Sequence, residues 1–119
     1  MVSSVLLVDD DPAFLALAAR IVEELGVDAV TTATDVAGAI AAANTTRPEA
    51  AIVDVGLPER EGIDLAYELA ALPWRPRVVL TSTDRDAAGA IADRARVPLP
   101  FVPKEELADG SLRRLLMTG

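Results

Sequence analysis

The stretch VLLVDDDPAF, residues 5–14, sets the fold, because it joins a short apolar run directly to a helix start. Four consecutive apolar residues are typical of a strand that is buried on both faces. Asp11 followed by Pro12 predicts an N-cap and a first helical residue. The stretch therefore predicts the strand-to-helix unit of an α/β protein. Its three consecutive aspartates repel one another and need a separate explanation.

The rest of the chain repeats this alternation of short apolar runs and longer helical patterns. We predict strands at 5–8, 29–31, 51–53, 78–80 and 99–102. We predict a first helix whose apolar stripe runs over 14–25, and further helices at 35–43, 63–72, 87–95 and 105–117. Gly26 and Pro73 are helix stops. Gly110 and Ser111 interrupt the last helix, which either begins near Leu112 or is kinked. The pattern predicts an α/β fold, a doubly wound five-stranded parallel sheet with helices on both faces.

Composition narrows the class of protein further. The 119 residues, 51% of them hydrophobic, fit one domain spanning 1–119. The net charge of −8 argues against direct nucleic-acid binding. The absence of cysteine and histidine excludes thiolate sites, histidine zinc sites and histidine-dependent triads. No apolar run is long enough to span a bilayer, so we expect a cytoplasmic protein without membrane contact.

Polar residues stand where the predicted strands end. Ligands of doubly wound sheets bind at the carboxyl ends of the strands. The residues at those ends are Asp9, Asp10, Asp54, Thr81, Ser82, Pro103 and Lys104. Three carboxylates in one crevice repel one another unless a hard cation shares them, which predicts a Mg²⁺ site. A lysine and a hydroxyl nearby suit a phosphoryl group, and Asp54 would be the nucleophile that accepts it.

Five features of the sequence together resemble a known family. They are VDD at 8–10, IVDVGLPEREG at 52–62, VVLTS at 78–82, FVPK at 101–104 and the strand-helix rhythm between them. The chain resembles the receiver domain of bacterial two-component response regulators over essentially its full length.

The resemblance implies a strand order of 2-1-3-4-5 and a role for each site residue. Asp54 is then the phosphoacceptor, and Asp9, Asp10, Asp54 and the backbone carbonyl of Gly56 hold Mg²⁺. Thr81 is the switch hydroxyl beside Ser82, Lys104 contacts the phosphoryl group, and Phe101 is the switch aromatic.

The resemblance also implies how such a domain works. A sensor histidine kinase or phosphotransfer protein supplies the phosphoryl group, and phosphorylation alters the surface of the fourth predicted helix, the fifth strand and the fifth helix. A homodimer through that surface remains open. The domain is not expected to be an enzyme beyond self-phosphorylation and slow self-dephosphorylation.

Some positions depart from the family pattern. Phe101 replaces a frequent tyrosine, and Glu105 stands where a proline commonly follows the lysine. Gly56 and Thr83, at positions that tune dephosphorylation in the family, offer no carboxylate or amide to orient water. We therefore expect slow hydrolysis of the acyl phosphate. We read Trp74 as a packing or surface residue, and Pro58 and Gly62 as loop residues.

Three other functions compete with this interpretation. A dehalogenase-type phosphohydrolase needs a second aspartate two residues after the nucleophile, where Gly56 stands. A receiver-like interaction or dimerisation domain would act without phosphorylation. The chain also fits the excised receiver of a DNA-binding transcriptional regulator.

Overall fold

The computed structural model describes residues 2–57, 61–83, 99–108 and 110–117. Its five strands are β1 (Ser4–Val8), β2 (Ala29–Ala33), β3 (Ala50–Asp54), β4 (Arg77–Ser82) and β5 (Phe101–Pro103). They form one parallel sheet in the order β2-β1-β3-β4-β5. The predicted fold class and strand order are therefore confirmed.

The strand register places the predicted polar residues at one edge of the sheet. Val8 pairs with Val53, and Asp54 pairs with Thr81. The chain order reverses between β1 and β3, so both β2 and β4 lie outside them. Asp9 directly follows β1, and Asp54 ends the neighbouring strand β3. Both residues therefore lie at the topological switch point, where ligands of such sheets bind.

Four α-helices are described: α1 (Pro12–Glu24), α2 (Val36–Thr46), α3 (Glu61–Ala70) and α4 (Ser111–Met117). Asp11 caps α1, and its carboxylate accepts a hydrogen bond from Ala13 N at 3.0 Å. Pro12 is the first residue of this helix. The predicted cap and start of α1 are confirmed. α4 corresponds to the fifth predicted helix and begins late, after a short 3₁₀ turn over Lys104–Glu106.

The sheet separates two hydrophobic clusters. One contains Leu6 of β1, Leu80 of β4 and residues of α2 and α3, including Leu65. The other contains Leu7 of β1, Val22 of α1 and Leu112 of α4. Leu6 and Leu7 are both buried although they point to opposite faces. The continuous apolar run of β1 follows from this two-sided burial.

Several predicted boundaries were wrong by a few residues. β5 begins at Phe101 rather than 99, because Pro100 has no N–H for the ladder, although its carbonyl accepts from Leu80 N at 2.8 Å. α3 ends at Ala70 because Leu72 N bonds to Leu69 O in a tighter turn before Pro73.

Two further differences concern helices. α2 runs to Thr46, where the Thr45 and Thr46 hydroxyls bond back to helix carbonyls and so tolerate the helical conformation. Gly62 lies inside α3, not in a loop. The predicted helix at 87–95 and Pro58 lie outside the described residues.

Candidate functional site

Three aspartates meet at the carboxyl end of the sheet. Asp9 and Asp54 are buried, with 1% and 5% of their surface exposed, whereas Asp10 is exposed. One carboxylate oxygen from each of the three lies within 4.8 Å of the others. The predicted cluster is thus assembled, with Asp10 on its solvent side.

Lys104 links the two buried carboxylates. Its Nζ lies 2.5 Å from Asp9 Oδ2 and 3.4 Å from Asp54 Oδ2. The other oxygen of each carboxylate accepts a backbone hydrogen bond: Asp9 Oδ1 from Asp11 N at 2.9 Å, and Asp54 Oδ1 from Gly56 N at 2.8 Å. Each buried aspartate is therefore fixed at one oxygen and meets the ammonium at the other.

The cluster contains more negative than positive charge. Burial raises the pKa of Asp9, an effect that the charge of Asp54 reinforces and that Lys104 and the Asp11 N–H oppose. Burial alone would lower the pKa of Lys104, but the ion pairs with Asp9 and Asp54 outweigh it and raise that pKa. The site therefore contains three carboxylates and one ammonium, and its net charge stays negative.

The hydroxyls lie on β4, the neighbour of β3, and the aromatic lies on the edge strand β5. Thr81 and Ser82 end β4 and are buried, and Thr81 is the register partner of both Asp54 and Val102. Phe101 is half-buried and packs against the cluster that contains Leu80. The structure therefore brings the predicted carboxylates, hydroxyls and lysine to the same edge of the sheet, whereas Phe101 pairs with Leu80, one position before Thr81.

Two glycines allow the backbone to approach Asp54 closely. A Cβ on Gly56 would lie 3.2 Å from Asp54 Oδ1, and the Gly56 N–H already bonds to that oxygen. A Cβ on Gly62 would overlap the Asp54 carbonyl oxygen and lie 2.9 Å from Val55 Cα. Gly62 therefore permits the first turn of α3 to pack against the end of β3.

The donor set suits Mg²⁺, although no ion is present in this structure. Carboxylate and carbonyl oxygens are the ligands that Mg²⁺ prefers. Two buried oxygens in the described part of the chain lack a hydrogen bond, Asp9 Oδ2 and Thr81 Oγ1. Asp9 Oδ2 contacts Lys104, but as an ion pair without hydrogen-bond geometry. A cation and an added oxyanion would satisfy both atoms.

Sequence reasoning missed one residue of the site, Phe14. We assigned this residue only to the apolar stripe of α1, yet Lys104 Nζ lies 4.2 Å from the centre of its ring. The ring covers the lysine and favours its charged form. Only its place in the first turn after the aspartates could have suggested this role.

Comparison with known proteins agrees with the fold. The family model for the response regulator receiver domain matches residues 5–98. The chain therefore belongs to the response regulator receiver domain family, whose members act in two-component signalling and are not a classical enzyme family.

Curated relatives carry names of transcriptional regulators. The chain is 36% identical to the probable transcriptional regulatory protein TcrX of Mycobacterium tuberculosis over 92 residues, covering 76% of this chain and 37% of that protein. It is also 36% identical to the transcriptional regulatory protein PdtaR of the same species, covering 93% of this chain and 58% of that protein. The chain thus spans between about a third and three fifths of these relatives.

Solved structures show the same fold. The chemotaxis protein CheY4 of Vibrio cholerae aligns with a TM-score of 0.80 at 21% identity, over 98% of this chain and 100% of that one. A CheY-like receiver domain from Methylobacillus flagellatus aligns with a TM-score of 0.78 at 24% identity, over 98% of this chain and 97% of that one.

None of the helices in the described ranges combines the length and apolar content that crossing a bilayer requires.

Proposed function

We propose that this domain accepts a phosphoryl group on Asp54 in a Mg²⁺-dependent reaction. Phosphorylation then changes a surface that other molecules recognise. The observation that carries the proposal is the position of Asp54. Its buried carboxylate lies within 4.8 Å of the Asp9 and Asp10 oxygens and 3.4 Å from Lys104 Nζ. A nucleophile, a lysine and an oxygen-rich metal site therefore adjoin one another.

The contacts of the site residues and the family resemblance together support a role for each of them. Asp9, Asp10, Asp54 and the Gly56 carbonyl would hold Mg²⁺, which neutralises negative charge on the incoming phosphoryl group. Gly56 N fixes Asp54 Oδ1 and leaves Oδ2 facing Lys104. Attack by Oδ2 forms an acyl phosphate while the bond between phosphorus and the donor breaks.

The same contacts suggest how phosphorylation changes the domain. Once Oδ2 carries the phosphoryl group, Lys104 pairs with its new oxygens instead of the free carboxylate. The unpartnered Thr81 hydroxyl donates to another of these oxygens. Movement of Thr81 displaces Val102, its partner on β5, and releases space for Phe101. The surface around β5 and α4 changes as a result.

The donor and the output are proposed from the family. Receiver domains act with histidine kinases or phosphotransfer proteins, and we propose such a donor here. The names of TcrX and PdtaR favour an output in transcription. A homodimer through the β5 and α4 surface would carry the signal to that output.

Intact mass spectrometry tests the proposal. The wild-type chain is incubated with acetyl phosphate or phosphoramidate, with Mg²⁺ or with EDTA. We expect the mass of one phosphoryl group with Mg²⁺ only, lost in Asp54→Asn and kept in Asp64→Asn, which changes an exposed carboxylate of α3. We also expect the adduct to decay slowly, over many minutes. An unmodified wild type with both donors would favour a domain that acts without phosphorylation.

A further inference from the structure

A cavity of about 400 Å³ lies at the end of the sheet opposite the aspartates. It opens where strands begin: Glu49 directly precedes β3, and Arg77 is the first residue of β4. The buried side chains of Val2 and Leu116 form its apolar part. The length of the sheet therefore separates this cavity from Asp54.

The cavity is positively charged within a strongly acidic molecule. Arg47, Arg75 and Arg77 line it together with one acid, Glu49, so two positive charges are in excess there although the chain carries −8. Arg47 and Arg75 are exposed and make no ion pair with any residue that the structure describes. Glu49 instead accepts a hydrogen bond from the Ser3 hydroxyl at 2.5 Å. The two arginines are thus available to an anion.

The walls of the cavity are fixed before any ligand binds. Trp74 Nε1 donates to Pro48 O at 2.8 Å, and the Arg47 guanidinium lies 5.3 Å from the centre of the indole ring. Arg77 Nη1 donates to Leu115 O at 3.0 Å.

The backbone at the two exposed arginines is also unusual. Arg47 and Arg75 adopt left-handed backbone angles, with φ of 47° and 49°, which residues other than glycine rarely do. At Arg47 this conformation ends α2, where its N–H bonds to Ala43 O, and it fixes the direction in which the chain enters the cavity wall.

We propose that this cavity binds a compact multivalent anion, namely the diphosphate group of a small molecule. Guanidinium groups match phosphate oxygens in pairs, and two or three of them suit a ligand with more than one negative charge. The volume falls at the lower end of small-molecule sites. The indole of Trp74 offers an aromatic surface to a ring attached to the diphosphate.

The only tryptophan of the chain reports on this cavity directly. Trp74 fluorescence and calorimetry are followed during titration with inorganic pyrophosphate or ADP, in EDTA so that the aspartate site holds no cation. We expect saturable binding that weakens about tenfold in Arg75→Gln and in Arg47→Gln, because each loses one charge-assisted contact. Asp54→Asn should bind as wild type does.

The control is Arg20→Gln, which removes an exposed arginine of α1 that does not line the cavity. It should bind as wild type does. Equal binding of pyrophosphate and ADP supports a site for the diphosphate alone, and tighter ADP binding supports a ring contact with Trp74. Absence of saturable binding of both at about 10 mM, or an equal loss in Arg20→Gln, would overturn the proposal. The result is independent of phosphorylation at Asp54.

Discussion

Lys104 is the residue whose charge most directly holds the carboxylate cluster together without metal. Its pKa is raised, so the folded state binds this proton more tightly than the unfolded chain does. The stability it contributes is therefore fully present below the unfolded pKa of about 10.4 and is lost as pH rises through the higher folded value. Urea unfolding in EDTA should show Lys104→Met destabilised by about 2 kcal/mol at pH 7.

The pH dependence separates this effect from a loss of packing. Above about pH 10 the gap between wild type and Lys104→Met should shrink, since the wild-type lysine loses its charge. At pH 7, Mg²⁺ should restore part of the loss, because a cation replaces the ammonium. A gap that stays constant from pH 7 to about 12 would contradict the ion-pair role.

Phe14 should influence phosphorylation although it offers no polar atom. Its ring lies 4.2 Å from Lys104 Nζ, and such a contact contributes about 0.5–1 kcal/mol. Phe14→Leu should therefore slow phosphorylation by acetyl phosphate about two- to fivefold, measured by intact mass over time. Phe14→Tyr keeps an aromatic face and should stay near the wild-type rate. Equal slowing in both variants would show that the ring face is not what matters.

The three consecutive aspartates have three different environments. Asp9 is buried against Lys104, Asp10 is exposed beside the cluster, and Asp11 caps α1. Asp10→Ala should abolish Mg²⁺ binding in calorimetry, whereas Asp11→Ser should preserve it because serine also caps helices. Asp11→Ala should lower the free energy of unfolding by about 1 kcal/mol and leave Mg²⁺ affinity unchanged. Equal loss of Mg²⁺ binding in Asp10→Ala and Asp11→Ser would contradict this division.

Among the helices and strands, the apolar runs predicted where the strands lie better than where they end. The run at residues 5–8 lies inside β1 because burial on both faces requires apolar side chains throughout. The start of β5 depends instead on the backbone chemistry of Pro100, and the end of α2 on hydroxyls that bond within the helix. Such local hydrogen bonds leave no periodic trace in the sequence.

The polar residues of the site were predictable from the sequence, as the positions of the strands were. Its polar residues stand at strand ends, so a parallel sheet brings Asp9, Asp54 and Thr81 to one edge. Contacts that cross between elements were not predictable. The Phe14 ring meets Lys104 only because the start of α1 lies beside the end of β5, and no spacing along the chain encodes that meeting.

At Gly62 the backbone of α3 lies in close contact with the end of β3. Because a Cβ there would overlap the Asp54 carbonyl oxygen, Gly62→Ala should force α3 away from β3. Overpacking of this kind costs about 1–3 kcal/mol of unfolding free energy, measurable by urea denaturation.

Gly38→Ala in α2 is the matched control for that change. The added Cβ would meet mainly the end of the Asp35 side chain, so this variant should stay within about 1 kcal/mol of wild type, aided by alanine's helix propensity. Similar losses in both variants would refute the argument from backbone contact.

Across the whole domain, the sheet separates two cores that share no buried side chain among the described residues. Ile52 belongs to the core beneath α1 and α4, and Ile63 to the core beneath α2 and α3. Ile52→Val and Ile63→Val should each lower the unfolding free energy by about 0.5–1.5 kcal/mol. The double variant should lose the sum of both within about 0.5 kcal/mol, because each cavity forms on its own face.

Urea denaturation of the four proteins, followed by circular dichroism and by Trp74 fluorescence, measures this additivity. The two probes should give one transition with the same midpoint, since strands β1, β3 and β4 contribute side chains to both cores and join them into one cooperative unit. An interaction energy above about 1 kcal/mol would mean that strain passes through the sheet from one core to the other.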